Sequence, residues 1–151
     1  MPLSMRGSGH IVNLASVAGK APVPGGCTYA ASKAAVVSMT ETARVEYART
    51  GVSFTCVMPS FTATDLILGT KGTRFVKNVA PEDVAREIVR AIARPKKDVY
   101  VPGSVGTILK LQALLGRRTR DAIQRSLGAD RTFLDVDQAE RAPYESRIAG
   151  S

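Results

Sequence analysis

Two stretches decide the fold: His10-Ile11-Val12-Asn13-Leu14-Ala15 and Val52-Ser53-Phe54-Thr55-Cys56-Val57-Met58. Each is short, apolar and partly β-branched, the pattern of a buried strand. Between them lie residues 16–27, where Gly19, Pro22, Pro24, Gly25 and Gly26 mark a loop. The chain then runs from Thr28 to Ala48, rich in Ala and free of Pro and Gly, which predicts a long helix. A strand, a crossover helix and a second strand imply parallel pairing with a right-handed connection.

The same alternation continues outward. Gly51 ends the turn before the second strand and Pro59 stops it. Residues 59–80 form an irregular segment, and Pro81-Glu82-Asp83 then opens a helix, since Pro suits the first turn and acids complement its dipole. That helix runs through Ile88 and Ile92 to Arg94-Pro95. Asp98-Val99-Tyr100-Val101 reads as a third strand closed by Pro102-Gly103. Ile108, Leu111 and Leu115 recur at helical spacing, and the basic stretch Arg117 to Arg125 continues the helical pattern. The expected fold is α/β: about three parallel strands with flanking helices, forming half of a doubly wound sheet. Residues 1–127 form that partial domain, and 128–151 a polar C-terminal tail.

Composition bounds the function. A length of 151 residues fits one domain, at a prior of roughly 150 residues each. With 44% hydrophobic and 23% charged residues, wholesale disorder is excluded. No apolar run approaches the ~18–20 residues that cross a bilayer, and the N-terminus has no apolar stretch of signal-peptide type. Cys27 and Cys56 are too few for a disulfide framework and lack metal-ligand spacing, so the expectation is a reducing cytoplasm and no metal. The net charge of +8 is concentrated in residues 66–127, with 13 basic against 5 acidic groups. That block fits either a solvated basic face or attraction to anions such as nucleotide phosphates. Aromatic residues make up only 5% of the chain and Trp is absent, so no base-stacking platform is visible and nucleic acid is not an expected partner.

The chemistry gathers around the first strand and helix. Tyr29-x-x-x-Lys33 puts both side chains on one helix face. A phenol titrates near ~10 and works as a base at neutral pH only where its anion is stabilised, which a fixed ammonium can do. Taken alone the spacing is a weak signal, since a solvated helix face produces it too. Ser16, however, lies 13 residues earlier, just past the end of a buried strand. In open α/β sheets ligands bind at that edge. A hydroxyl there can hydrogen-bond a substrate oxygen, or equally its own loop backbone.

Gly9-His10-Ile11-Val12-Asn13-Leu14-Ala15-Ser16, then Tyr29-Ala30-Ala31-Ser32-Lys33, then Val57-Met58-Pro59-Ser60-Phe61-Thr62-Ala63-Thr64 together resemble the short-chain dehydrogenase/reductase family. The likeness is good over residues 9–101 and loose after Pro102. It implies a Rossmann-like fold, NAD or NADP as cofactor, and interconversion of a secondary alcohol and a ketone. Under it, Tyr29 is the general acid/base, Lys33 holds the nicotinamide ribose and favours the tyrosinate, and Ser16 orients the substrate oxygen. Pro59, Ser60, Thr62 and Thr64 would contact the nicotinamide carboxamide and neighbouring phosphate, together with Tyr29 and Lys33 on the cofactor side. Ser60 stands where the family commonly has glycine.

Full members of the family begin with a strand and a glycine-rich turn that cradles the pyrophosphate. Here Gly7-Ser8-Gly9 precedes a strand rather than following one, so it is not that turn. The residues that choose between NAD and NADP, and the asparagine of the family's tetrad, would lie in the same preceding part. Asn13 belongs to the strand and is not that asparagine. Met1-Pro2-Leu3-Ser4-Met5 reads as the end of a preceding helix, and the chain as the catalytic, C-terminal half of an enzyme. The alternative is a catalytically silent remnant that acts as a binding module through an exposed strand edge and a basic face.

Other constellations carry less. A Ser–His–Asp hydrolase is excluded because Ser16 is not on a G-x-S-x-G turn and His10 lies at the far end of its strand. Cys27 and Cys56 are expected as small buried hydrophobes, with lining of the substrate site or a reactive thiol as the alternative for Cys27. Phe61, Leu66, Ile67, Leu68, Phe75 and Val76 fit an apolar alcohol or ketone as well as they fit core packing. Residues 108–125 fit a core or subunit contact better than a membrane surface. The missing neighbours of the first strand and long helix make a homo-oligomer the expected state.

Overall fold

The computed structural model describes residues 7–21, 23–63 and 78–126, with short pieces at 134, 142–143 and 145–147. Three strands, β1 (Gly9–Leu14), β2 (Val52–Pro59) and β3 (Asp98–Val101), form one sheet in that order. Both pairings are parallel: Gly9 lies opposite Val52 and Leu14 opposite Val57, while Cys56 lies opposite Asp98 and Pro59 opposite Val101. The helices are α1 (Cys27–Glu46), α2 (Pro81–Ala93), α3 (Gly103–Ala113) and α4 (Arg117–Ser126).

Side chains alternate across a strand, so β2 divides its residues between two cores. Val57 joins Val79, Val84, Ala91, Val99 and Val101 beneath α2. Cys56 and Met58 point the other way and pack with Ala15 and Val37 beneath α1. On the α1 side polar bonds supplement packing. Fully buried Thr40 accepts a hydrogen bond from Asn13 Nδ2 at 2.9 Å and donates to the Val36 carbonyl at 2.7 Å. Near the end of α1, Arg44 donates to the carbonyls of Phe54 (3.1 Å) and Lys97, and pairs with Asp98 at 2.9 Å. The turn into β2 depends on Gly51, whose φ of 73° and close approach to the Gly7 carbonyl no larger residue could match.

The elements fall close to where the sequence predicts them, with two differences. The loop after β1 contains a 3₁₀ turn, Val17–Gly19, because the Ser16 hydroxyl caps it. The basic stretch is a separate helix rather than a continuation of α3, since Gly116 follows the last turn of α3 and its carbonyl accepts the first bonds of α4. The expected helix end at Met1–Met5, the apolar residues 66–68, 75 and 76, and nearly all of the tail after residue 127 lie outside the described residues.

Candidate active site

The site is assembled where β1 and β2 end. The chain leaving β1 passes Ala15 and Ser16, both buried, and the Ser16 Oγ accepts a hydrogen bond from the Ala18 amide at 3.1 Å. The same Oγ donates to the Pro59 carbonyl at the end of β2 over 3.4 Å, a long and weak bond. Ser16 thus serves as a turn cap and also sits at the ligand edge of the sheet, where its sequence position puts it.

Tyr29 and Lys33 occupy the first turns of α1. Tyr29 is 39% exposed, and the Lys33 ammonium lies 5.7 Å from its ring centroid. Lys33 Nζ also donates to the Leu14 carbonyl at 3.3 Å, so the cation is tied to the end of β1, two residues before Ser16. The four-residue spacing therefore does what helical geometry requires, and the strand carbonyl fixes where the pair sits. Sequence patterns do not mark a backbone acceptor, so this anchor could not be read beforehand.

The loop after β2 supplies the remaining wall. Its first residue, Ser60, donates its amide to the Val101 carbonyl at 2.8 Å, binding the loop to β3. The Ser60 Oγ is buried and has no hydrogen-bond partner among the described residues. Thr62 bridges to Val79, and the Thr62 hydroxyl donates to the Ser60 carbonyl at 3.4 Å. Thr64 lies outside the described residues.

Cys27 departs from expectation. It is exposed, because it opens α1 and projects from the helix end rather than into the core. Cys56 is buried as expected, and burial pushes its thiol pKa up. Burial likewise raises Tyr100, whereas Lys20 is raised chiefly by its hydrogen bond to Glu41. His10 Nε2 lies 2.8 Å from Thr55 Oγ1, at the opposite end of β1 from Ser16. A cavity of about 580 Å³ lies between α2 and β3; its lining includes Val79 and Val101, which join the loop at Thr62 and Ser60, but not Ser16, Tyr29 or Lys33, and two of its charged groups, Asp83 and Arg86, pair with each other. Among the described residues no three His, Cys, Asp or Glu side chains could hold a metal ion, and no helix is long and apolar enough to cross a membrane.

Comparison with known proteins gives the class. The family model for short chain dehydrogenases matches residues 1–72, which include Ser16, Tyr29, Lys33 and Pro59. Human estradiol 17-beta-dehydrogenase 11 is 32% identical over 122 residues, covering 79% of this chain and 40% of that protein. The ketoacyl reductase HetN of Nostoc sp. is 33% identical over 125 residues, covering 80% of this chain and 44% of its own. The crystal structure of a short chain dehydrogenase from Burkholderia cenocepacia in complex with NADP superposes with a TM-score of 0.66 at 25% identity, covering 83% of this chain and 49% of that one. The parallel sheet with helices on both faces is the Rossmann-like α/β arrangement of that structure. The chain belongs to the short-chain dehydrogenase/reductase family. It spans roughly two fifths of the length of the curated relatives it matches.

Proposed function

We propose that this chain carries the catalytic part of an NAD(P)-dependent oxidoreductase that interconverts a secondary alcohol and a ketone. The seating of Lys33 carries this reading: a cation tethered to the Leu14 carbonyl stands beside an exposed phenol at the ligand edge of the sheet. Tyr29 exchanges a proton with the substrate oxygen. The Lys33 ammonium stabilises negative charge that develops beside it. Ser16 holds the same substrate oxygen, because its weak 3.4 Å bond to Pro59 leaves the hydroxyl proton able to turn toward a better acceptor.

The residues present fit a nicotinamide cofactor. The buried Ser60 hydroxyl, unpaired among the described residues, suits a carboxamide, which both donates and accepts. Pro59, Ser60 and Thr62 line this part with Tyr29 and Lys33, and the family resemblance adds Thr64. When bound, the nicotinamide supplies or accepts the hydride. Either NAD or NADP is compatible with these residues. The names of two relatives, an estradiol dehydrogenase and a ketoacyl reductase, support a small alcohol or carbonyl substrate of apolar character. Residues 1–127 act as the catalytic unit with 128–151 as a tail. Met39 and Val45, 57% and 78% exposed on α1, support a homo-oligomer. Cysteine usage supports the cytoplasm.

The test is to titrate NADH and NADPH against the purified protein, then follow nicotinamide absorbance with a panel of ketones and secondary alcohols. Saturable binding and turnover that Tyr29→Phe abolishes are expected. Absence of binding by either nucleotide overturns the enzyme and leaves the binding module.

A further inference from the structure

Three contacts hold the chain leaving β1 against α1. Lys33 Nζ bonds to the Leu14 carbonyl, Lys20 Nζ pairs with Glu41 at 2.8 Å, and between them the 3₁₀ turn rests directly on the helix backbone. The third contact exists because residue 19 has no side chain. A Cβ placed on Gly19 would lie 2.7 Å from the Lys33 carbonyl oxygen, 2.8 Å from its carbonyl carbon and 3.0 Å from the Ala34 nitrogen. These distances fall well inside the ~3.5–4.0 Å of an ordinary carbon contact. All three neighbours are backbone atoms inside a regular helix, which cannot swing aside as a side chain could. The φ of Gly19 lies outside the left-handed region, so its conformation alone would admit alanine. Space alone therefore requires glycine here.

The turn begins with Ser16, and its amides point back to that residue: Gly19 N donates to the Ser16 carbonyl at 3.0 Å, and Ala18 N to the Ser16 hydroxyl at 3.1 Å. The turn is thus a short rigid arm with Ser16 at one end and Gly19 pressed on Lys33 at the other. We propose that Gly19 is a positioning residue of this site, setting the distance between the Ser16 hydroxyl and the Tyr29–Lys33 face of α1. It touches neither substrate nor cofactor, and the role rests on the catalytic reading of Ser16 given above. Tyr29 and Lys33 share one helix, so lifting the turn moves Ser16 while leaving that pair's mutual geometry intact.

Gly19→Ala tests this, with Gly103→Ala as the control, since nothing lies within 4 Å of a Cβ at Gly103. A misplacement near 1 Å costs roughly 10²-fold in rate, and a fall of that order in kcat is expected for Gly19→Ala, with cofactor affinity and the pH profile unchanged. Combined with Ser16→Ala, it should slow the enzyme no further than Ser16→Ala alone. Multiplying losses would mean a general structural effect and would overturn the proposal. A second readout needs no turnover. Amide exchange at Gly19 and Lys20, whose N–H groups bond to the Ser16 and Val17 carbonyls, should speed at least tenfold in Gly19→Ala and stay unchanged in Gly103→Ala. Unchanged exchange overturns the proposal even if the wild-type protein is active. Faster exchange in a protein that turns over no alcohol or ketone supports the spacing by Gly19 and overturns the catalytic reading instead.

Discussion

Beneath α2 the core cluster is entirely aliphatic, with Val57, Val84, Ala91, Val99 and Val101 in contact, whereas the α1 side is fastened by Asn13, Thr40, Lys33 and Arg44 through directed hydrogen bonds. The first kind of contact is proportional to buried area and indifferent to small slides. The second holds only when donor and acceptor are in line. Catalytic groups must be held within about 0.5 Å of their working geometry. The helix that presents Tyr29 and Lys33 is the one that carries these bonds; on the other face of the sheet directed bonds among the described residues are confined to fully buried Thr55, which meets His10 and the Lys96 carbonyl beside the aliphatic cluster.

The contrast is broken most forcefully by exchanging readouts. Tyr29→Phe removes one hydroxyl from a side chain already 39% exposed. Turnover should fall roughly 10²–10⁴-fold, the usual worth of a general acid/base, while Tm and cofactor affinity hold steady. Val57→Ala, across the sheet, should do the reverse. Its side chain is fully buried in the aliphatic cluster, so losing two methyl groups costs about 2–3 kcal/mol of stability once the cavity is included. The folded fraction should keep its kcat. A Val57→Ala protein of normal stability but impaired kcat would show that the aliphatic face also positions the site.

What the sequence disclosed follows the same division. Strands and helices were legible because periodic apolar residues and Pro or Gly breaks report buried area directly. Val52–Met58 and Asp98–Val101 could be placed closely on that basis. Ser16, Tyr29 and Lys33 were legible as a pattern of spacings. The bonds that hold them were not. Leu14 contributes a carbonyl, Gly19 contributes an absence of atoms, and neither has a signature in residue type. Cys27 was misjudged for a related reason: cysteine is buried on average, and nothing in its type tells that it would open a helix facing solvent.

A smaller effect sharpens the comparison on the fastened side. Thr40→Val keeps the volume of a fully buried side chain but removes the hydroxyl that accepts from Asn13. Leaving the Asn13 amide without that partner costs about 1–3 kcal/mol. The measurement is denaturant unfolding beside an Asn13→Ala, Thr40→Val double variant. If the pair acts as a bond, the double variant should be no less stable than Thr40→Val, because the stranded donor is gone. Strictly additive losses would reduce the pair to two independent packing residues.

The smallest expected effect concerns pH, and it too belongs to the α1 side. Lys20, Cys56 and Tyr100 all have raised pKa values: Lys20 chiefly through its bond to Glu41, Cys56 and Tyr100 chiefly through burial. A raised value means that the folded protein binds the proton more tightly than the unfolded chain. Stability is therefore fully present below the unfolded values and declines as pH rises through them. Reference values for these groups run from about 8.5 for a thiol to about 10.4 for an ammonium, so Tm should be level up to about pH 8 and fall above about pH 9. Tyr100→Phe removes one of the three titrations with little change in shape, and should make that decline shallower without altering Tm at neutral pH. An unchanged alkaline slope would mean that Tyr100 meets the same surroundings folded and unfolded. Its ring would then not be held in the α1-side core, where it packs beside Met58 and against Gly106.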